Sequence, residues 1–145
     1  MEPSLVKGNR IFDNRGSLRF SNDLNFKGIK RFYTVHNYSK NFIRAWHGHL
    51  NEEKYIGCIK GTFQVSAVKI DKINKPNKKN KIFNFFLNQS DSNFIHIPKG
   101  YANGSMSLEE NSELLIFSTS SIQESLNDDI RYEANYWNPW DIKHR

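Results

Sequence analysis

Apolar residues in this chain come in short runs broken by polar residues and turn formers. No segment sustains a helical spacing over three turns. Phe32-Tyr-Thr-Val35, Tyr55-Ile-Gly-Cys-Ile59, Thr62 to Ile70 and Leu114-Leu-Ile-Phe117 are rich in β-branched and aromatic residues, and each predicts a strand. Thr62 to Ile70 alternates, so that Phe63, Val65 and Ala67 share one face, and Ile82-Phe-Asn-Phe-Phe-Leu87 partly does the same. Lys60-Gly61 and Lys99-Gly100 supply turn glycines between runs. Many short strands with turn signals between them predict an all-β sandwich or barrel. The last stretch, Asn127 to Arg145, carries Tyr132, Tyr136, Trp137 and Trp140, and reads as a short irregular C-terminal tail packed over the barrel or over a partner subunit.

A length of 145 residues, without internal repeat or linker, predicts a single domain over 1–145 with one proper core. Hydrophobic residues at 37% and charged residues at 25% place the chain among globular proteins and exclude a disordered one. The formal net charge of +6 suits a nucleic acid, an anionic surface or a phosphorylated small molecule. Much of that excess lies in Lys72-Ile-Asn-Lys75-Pro-Asn-Lys78-Lys79-Asn-Lys81, which reads as a solvated hairpin loop. No aromatic residues interleave with these lysines to stack bases, so no nucleic-acid partner is expected. Cys58 is the sole cysteine, which excludes an internal disulfide, and its apolar run predicts a buried, inert thiol. No apolar run approaches the roughly 18 residues of a membrane span, and no signal-peptide core opens the chain. A cytoplasmic protein with no membrane partner is the expectation.

The densest chemistry lies in Arg44-Ala-Trp-His47-Gly-His49-Leu-Asn-Glu-Glu-Lys54. On a strand, residues two apart share a face, so His47 and His49 project into one space as metal ligands or as a proton-transfer pair. His36 and His144 stand alone and receive no role, and His96 reads as structural. His-x-His, four residues, position 54, six residues and Gly61 resemble the first motif of the cupin superfamily, and Pro98-Lys-Gly100-Tyr-Ala-Asn103 resembles the second. The resemblance implies a cupin-type jelly-roll β-barrel. Two of the four usual metal ligands are replaced, by Lys54 and Asn103. A cation beside two histidines repels a divalent metal, so no metal is expected.

Within that superfamily, Asp13-Asn-Arg15-Gly-Ser17, Asn37-Tyr-Ser39, Arg44-Ala-Trp-His47, Lys54, Ile97 to Gly104 and Asp129-Ile-Arg131-Tyr132 follow the order of the dTDP-4-dehydrorhamnose 3,5-epimerases. Arg44 to His49 also resembles the Arg-Gly-x-His-x-His of the sugar 3,4-ketoisomerases. The resemblance spans nearly the whole chain. It implies a nucleoside-diphosphate 4-keto-6-deoxyhexose as substrate, metal-free enolisation without a cofactor, and an isomerase of deoxysugar biosynthesis. In those terms His47 is the base, His49 a second proton carrier and Lys54 the stabiliser of the enolate. Arg15 and Arg44 would take the pyrophosphate, Tyr101 and Asn103 would line the pocket, and Arg15 would reach the neighbouring subunit's site in a homodimer. The 3,5-epimerases carry a tyrosine acid shortly after the strand equivalent to Leu114–Phe117, where this chain reads Ser120-Ser-Ile-Gln-Glu124. Two other readings stand beside this one: a non-catalytic sugar- or nucleotide-binding cupin, and a metal-dependent cupin using His47, His49 and Glu53.

Overall fold

The computed structural model describes residues 1–141. Two five-stranded antiparallel sheets face one another. The first runs in the order β1 (Ser4–Val6), β9 (Phe94–Ile97), β6 (Lys54–Lys60), β11 (Ser112–Ser118), β4 (Arg31–Asn37). The second runs β12 (Ile130–Arg131), β5 (Ile43–His49), β10 (Tyr101–Ser107), β7 (Thr62–Lys69), β8 (Ile82–Asn88). From β4 to β7 and again from β8 to β11 the chain crosses between sheets at every step, which is the jelly-roll connection. A separate hairpin of β2 (Asn9–Asp13) and β3 (Gly16–Phe20) pairs with neither sheet. The fold is all-β, as expected, with one short helix among the described residues, α1 (Ile122–Leu126).

The alternation expected of β7 holds, with an addition. Phe63, Val65 and Ala67 point inward and meet Ile56 and Cys58 of β6, Leu87 of β8, Ile95 and Ile97 of β9, and Leu114 and Ile116 of β11. The other face of β7 is buried too: Gln64, Ser66 and Val68 are all covered. The tail does the covering, since Trp137 and Trp140 pack with Trp46, Val68, Ile70, Ala102 and Met106 in a second cluster behind β5, β10 and β7. Trp46 is fully buried and donates its indole N–H to the carbonyls of Ala134 and Trp137, both at 3.1 Å. The tail also ties down the loop between β7 and β8, where Tyr132 and Trp137 bind the Ile73 and Asn77 carbonyls. The basic run is thus a connecting loop, most of it exposed. The tail's final residues, His144 among them, lie outside the described part.

Candidate active site

The inward face of β5 decides where the chemistry sits. With Trp46 turned outward into the tail cluster, strand alternation turns His47 and its neighbour at 49 toward the space between the sheets. Arg44 lies an odd number of positions from His47 and would face the opposite way on a regular strand. A register shift resolves this: Asn103 pairs with His47 and Ser105 with Arg44, leaving Ala45 and Trp46 opposite Gly104 alone. The bulge brings Arg44 and His47 to the same cavity. Gly104 is required there, because a Cβ would stand 2.6 Å from the Ala45 methyl and 3.0 Å from the Trp140 ring.

The cavity measures about 310 Å³ and lies at one end of the space between the sheets. Its inner walls are apolar: Val35 of β4, Ile56 of β6, and Leu114 and Ile116 of β11. Its polar lining includes His47, His49, Lys54, Asn103 and Tyr33, together with Arg44, Ser105, Ser125, Asp129 and Arg131. Ile122 and Leu126 of α1 also line it, and they remain 55% and 61% exposed, so that end is an apolar rim open to water.

Electrostatics here favour neutral imidazoles. Burial, then the Lys54 and Arg131 charges, push His47 down from 6.5 to about 4. Burial and Lys54 also lower His49, against the opposing pull of Glu52 and Asp128. His49 Nδ1 lies 2.7 Å from the Asp128 carbonyl oxygen, which can accept but not donate. The proton therefore sits on Nδ1, and the lone pair is on Nε2. Asn103 donates to the His47 carbonyl at 3.2 Å and so locks β10 to β5 beside the imidazole. Arg44 is oriented by Asn37, which accepts from its Nε at 2.8 Å, and by the His36 carbonyl. Arg131 is held in the same manner by Asp129, at 3.0 and 3.1 Å.

Of the residues expected from the sequence, His47, His49, Lys54, Arg44 and Asn103 converge on this cavity. Tyr101 does not line it. Its ring turns toward β8, edge-on to Phe83 with centroids 6.2 Å apart, and borders a separate surface groove with Lys69 and Lys81. Arg15 does not reach the cavity either; it stands exposed at the tip of the β2–β3 hairpin, paired with Asp13 at 2.5 Å. His96 is structural, donating to Glu53 at 2.9 Å and stacked on Tyr55. That contact engages the Glu53 carboxylate, and no group of three or more His, Cys, Asp or Glu side chains among the described residues is placed to hold a metal. Tyr33, Arg131, Asp129 and Glu52 were not assigned to the site from sequence. Asp129 and Arg131 stood in a recognised pattern, whereas Tyr33 was hidden in a run that reads as core.

A family described as "WxcM-like, C-terminal" (FdtA) matches residues 1–139. The chain belongs to this family. No curated protein matches it. Among solved structures, the QdtA 3,4-ketoisomerase from Thermoanaerobacterium thermosaccharolyticum, a double mutant in complex with TDP, is 24% identical with a TM-score of 0.70, over 94% of this chain and 91% of that one. The dTDP-4-dehydrorhamnose 3,5-epimerase from Bacillus anthracis, with TDP and PPi bound, is 16% identical with a TM-score of 0.77, over 98% and 86%. The rmlC epimerase from Mycobacterium tuberculosis is 17% identical with a TM-score of 0.69 over 82% of this chain, which spans 64% of that longer one. These likenesses establish the fold. No helix among the described residues is long and apolar enough to cross a membrane.

Proposed function

We propose that this protein is an isomerase of nucleoside-diphosphate 4-keto-6-deoxyhexoses, acting by enolisation as a 3-epimerase, 3,5-epimerase or 3,4-ketoisomerase in deoxysugar and polysaccharide biosynthesis. The observation that carries the reading is the convergence of His47, His49 and Lys54 on one cavity, opposite the apolar side chains of Val35, Ile56, Leu114 and Ile116. A ketone acidifies the adjacent C–H. Neutral His47 takes that proton as general base, and the electron pair moves onto the carbonyl oxygen as an enolate. The Lys54 ammonium faces the developing oxyanion in a site partly shielded from water, where a fixed charge is most effective. His49 Nε2, once protonated, returns a proton to carbon. Delivery to the opposite face of the same carbon inverts it. Delivery to the former carbonyl carbon C4, with the proton of the C3 hydroxyl passing to the C4 oxygen, leaves the new carbonyl at C3 and moves the keto group. Tyr33 is the phenol that borders the cavity and a second proton donor. Every step uses side chains, so the reaction calls for no cofactor.

The cavity takes the hexose, while Arg44 and Arg131 are presented in orientations suited to diphosphate oxygens. Ile122 and Leu126 form an apolar ledge for the nucleoside. The homodimer reading draws on the β2–β3 hairpin, which projects Ile11, Phe12 and Leu18 into solvent and places Arg15 at its tip, where a second copy could use it. A cytoplasmic setting accords with a lone, buried cysteine whose thiol burial pushes up to about 12. The test is conversion of dTDP-4-keto-6-deoxyglucose followed by carbon NMR. Inversion at C3 or C5, or transfer of the carbonyl to C3, supports the reading. An unchanged sugar bound tightly by the protein would overturn it in favour of a non-catalytic binding barrel.

A further inference from the structure

The mechanism above leaves one buried acid without a task. Glu52 sits in the turn between β5 and β6, its side chain wholly buried, and neither carboxylate oxygen has a hydrogen-bond partner among the described residues. A carboxylate in that state is costly unless charges nearby compensate it. Two groups do so. Lys54 Nζ lies 3.7 Å from one oxygen and His49 Nδ1 lies 3.9 Å from the other. Glu52 itself does not line the cavity; it stands behind the two groups that do. Its turn is held in place by Asp128, whose carboxylate accepts from the Leu50 and Asn51 amides at 2.9 and 2.8 Å.

We propose that Glu52 is a positioning residue for the enolisation, the shared counter-ion behind His49 and Lys54 that keeps the ammonium aimed at the substrate oxygen and lets the imidazole take up a proton beside it. The inference rests on the reading of this cavity as an active site. Lys54 opposes positive charge on His49, and without a compensating anion the two could not be cationic together. The His49 Nδ1–H is tied to the Asp128 carbonyl, so an arriving proton enters at Nε2 and its charge spreads over the ring to the side Glu52 faces. Other charges around the trio are accounted for. His47 neighbours it on β5, Asp128 is engaged by backbone amides, and Asp129 pairs with Arg131. Lys54 is flanked across the sheet by Ser118 and Ile97, which carry no charge. A packing role alone would be met as well by leucine or glutamine, and either would avoid the burial of an ion.

The experiment compares wild type, Glu52→Gln and Glu52→Asp in two assays. In the ligand-free protein, NMR titration of the His49 Cε1–H should show the midpoint moving to lower pH in Glu52→Gln. With dTDP-4-keto-6-deoxyglucose, that variant should lose about 10- to 100-fold in kcat while KM stays within about threefold, and Glu52→Asp should recover part of kcat. A wild-type His49 titration or an intact kcat in Glu52→Gln would overturn the proposal. So would parallel losses of kcat and dTDP binding with the titration unmoved, which would make Glu52 a structural support. If the glutamine variant does not fold, Glu52→Asp decides alone. It draws the carboxylate back by one methylene, and an unmoved His49 midpoint there would also overturn the proposal. A wild type without turnover whose His49 midpoint still responds to Glu52 would sink the enzymatic reading and leave the coupling standing.

Discussion

Acidification should destabilise this protein through His47, by an amount the structure sets. The imidazole is pushed from 6.5 to about 4, first by burial and then by the charges of Lys54 and Arg131. Above pH 6.5 neither folded nor unfolded chain carries a proton there, so His47 leaves stability unchanged. Between pH 6.5 and 4 the unfolded chain binds the proton and the folded one refuses it, so stability falls as the pH falls. A shift of that size is worth roughly 2 kcal/mol near pH 5, at about 1.4 kcal/mol per pH unit. The ring borders an open cavity, and solvent screening brings the figure to about 1–2 kcal/mol. His47→Gln removes the titration and keeps a polar side chain of similar size. The assay is urea unfolding at several pH values between 7.5 and 5, followed by tryptophan fluorescence. Trp46, Trp137 and Trp140 are buried in one cluster, so their emission reports the loss of the fold. Subtracting the variant's acid sensitivity from that of wild type cancels the carboxylates and the smaller contribution of His49, which has the same sign. Wild type should lose about 1–2 kcal/mol more than the variant. Parallel losses in the two proteins would refute the claim that His47 is held neutral by its surroundings.

Other expectations follow from the same contacts. Arg44→Ala should weaken dTDP binding by about tenfold or more in calorimetry, since a guanidinium at the diphosphate makes charge-assisted bonds. Trp137→Ala should cost about 3–5 kcal/mol in urea unfolding, because the ring is 1% exposed and packs edge-on to Trp46 at 5.4 Å. Gly104→Ala should cost about 1–3 kcal/mol and reduce turnover, since its methyl would push on Ala45 and Trp140 and disturb the bulge that brings Arg44 beside His47.

The strands with β-branched and aromatic runs were legible because their composition and alternation are local properties: β4, β6, β7, β8 and β11 stand where the pattern puts them. Strand β10 gave little such signal. Tyr101 to Ser107 is mostly small and polar, and it becomes a strand because β5 and β7 hydrogen-bond it from both sides. The hairpin of β2 and β3 and the helix α1 are also set by turn chemistry rather than by apolar spacing. A capping box between Ser121 and Glu124 fixes the start of that helix. At the site, His47 and His49 were legible from a spacing of two. Arg44 joins them only through the bulge, which spacing alone does not reveal. Tyr33 was hidden because one aromatic residue in an apolar strand reads as core whether or not its hydroxyl meets a cavity. Tyr101 shows the converse, a residue in a recognised motif whose ring turns to the core. Glu52 could not be told from its exposed neighbours, since in sequence a turn rich in acidic residues looks solvated.

The most direct test of enolisation at this cavity is solvent isotope exchange. The protein is incubated with dTDP-4-keto-6-deoxyglucose in deuterium oxide, and the sugar is examined by proton NMR, with His47→Ala alongside. The account predicts deuterium at C3, alone or together with C5, if the product is an epimer, or at C4 if the carbonyl has moved to C3, and its loss in the variant. Turnover that leaves C3, C4 and C5 all without deuterium, or exchange that persists undiminished when His47 is replaced, would contradict it.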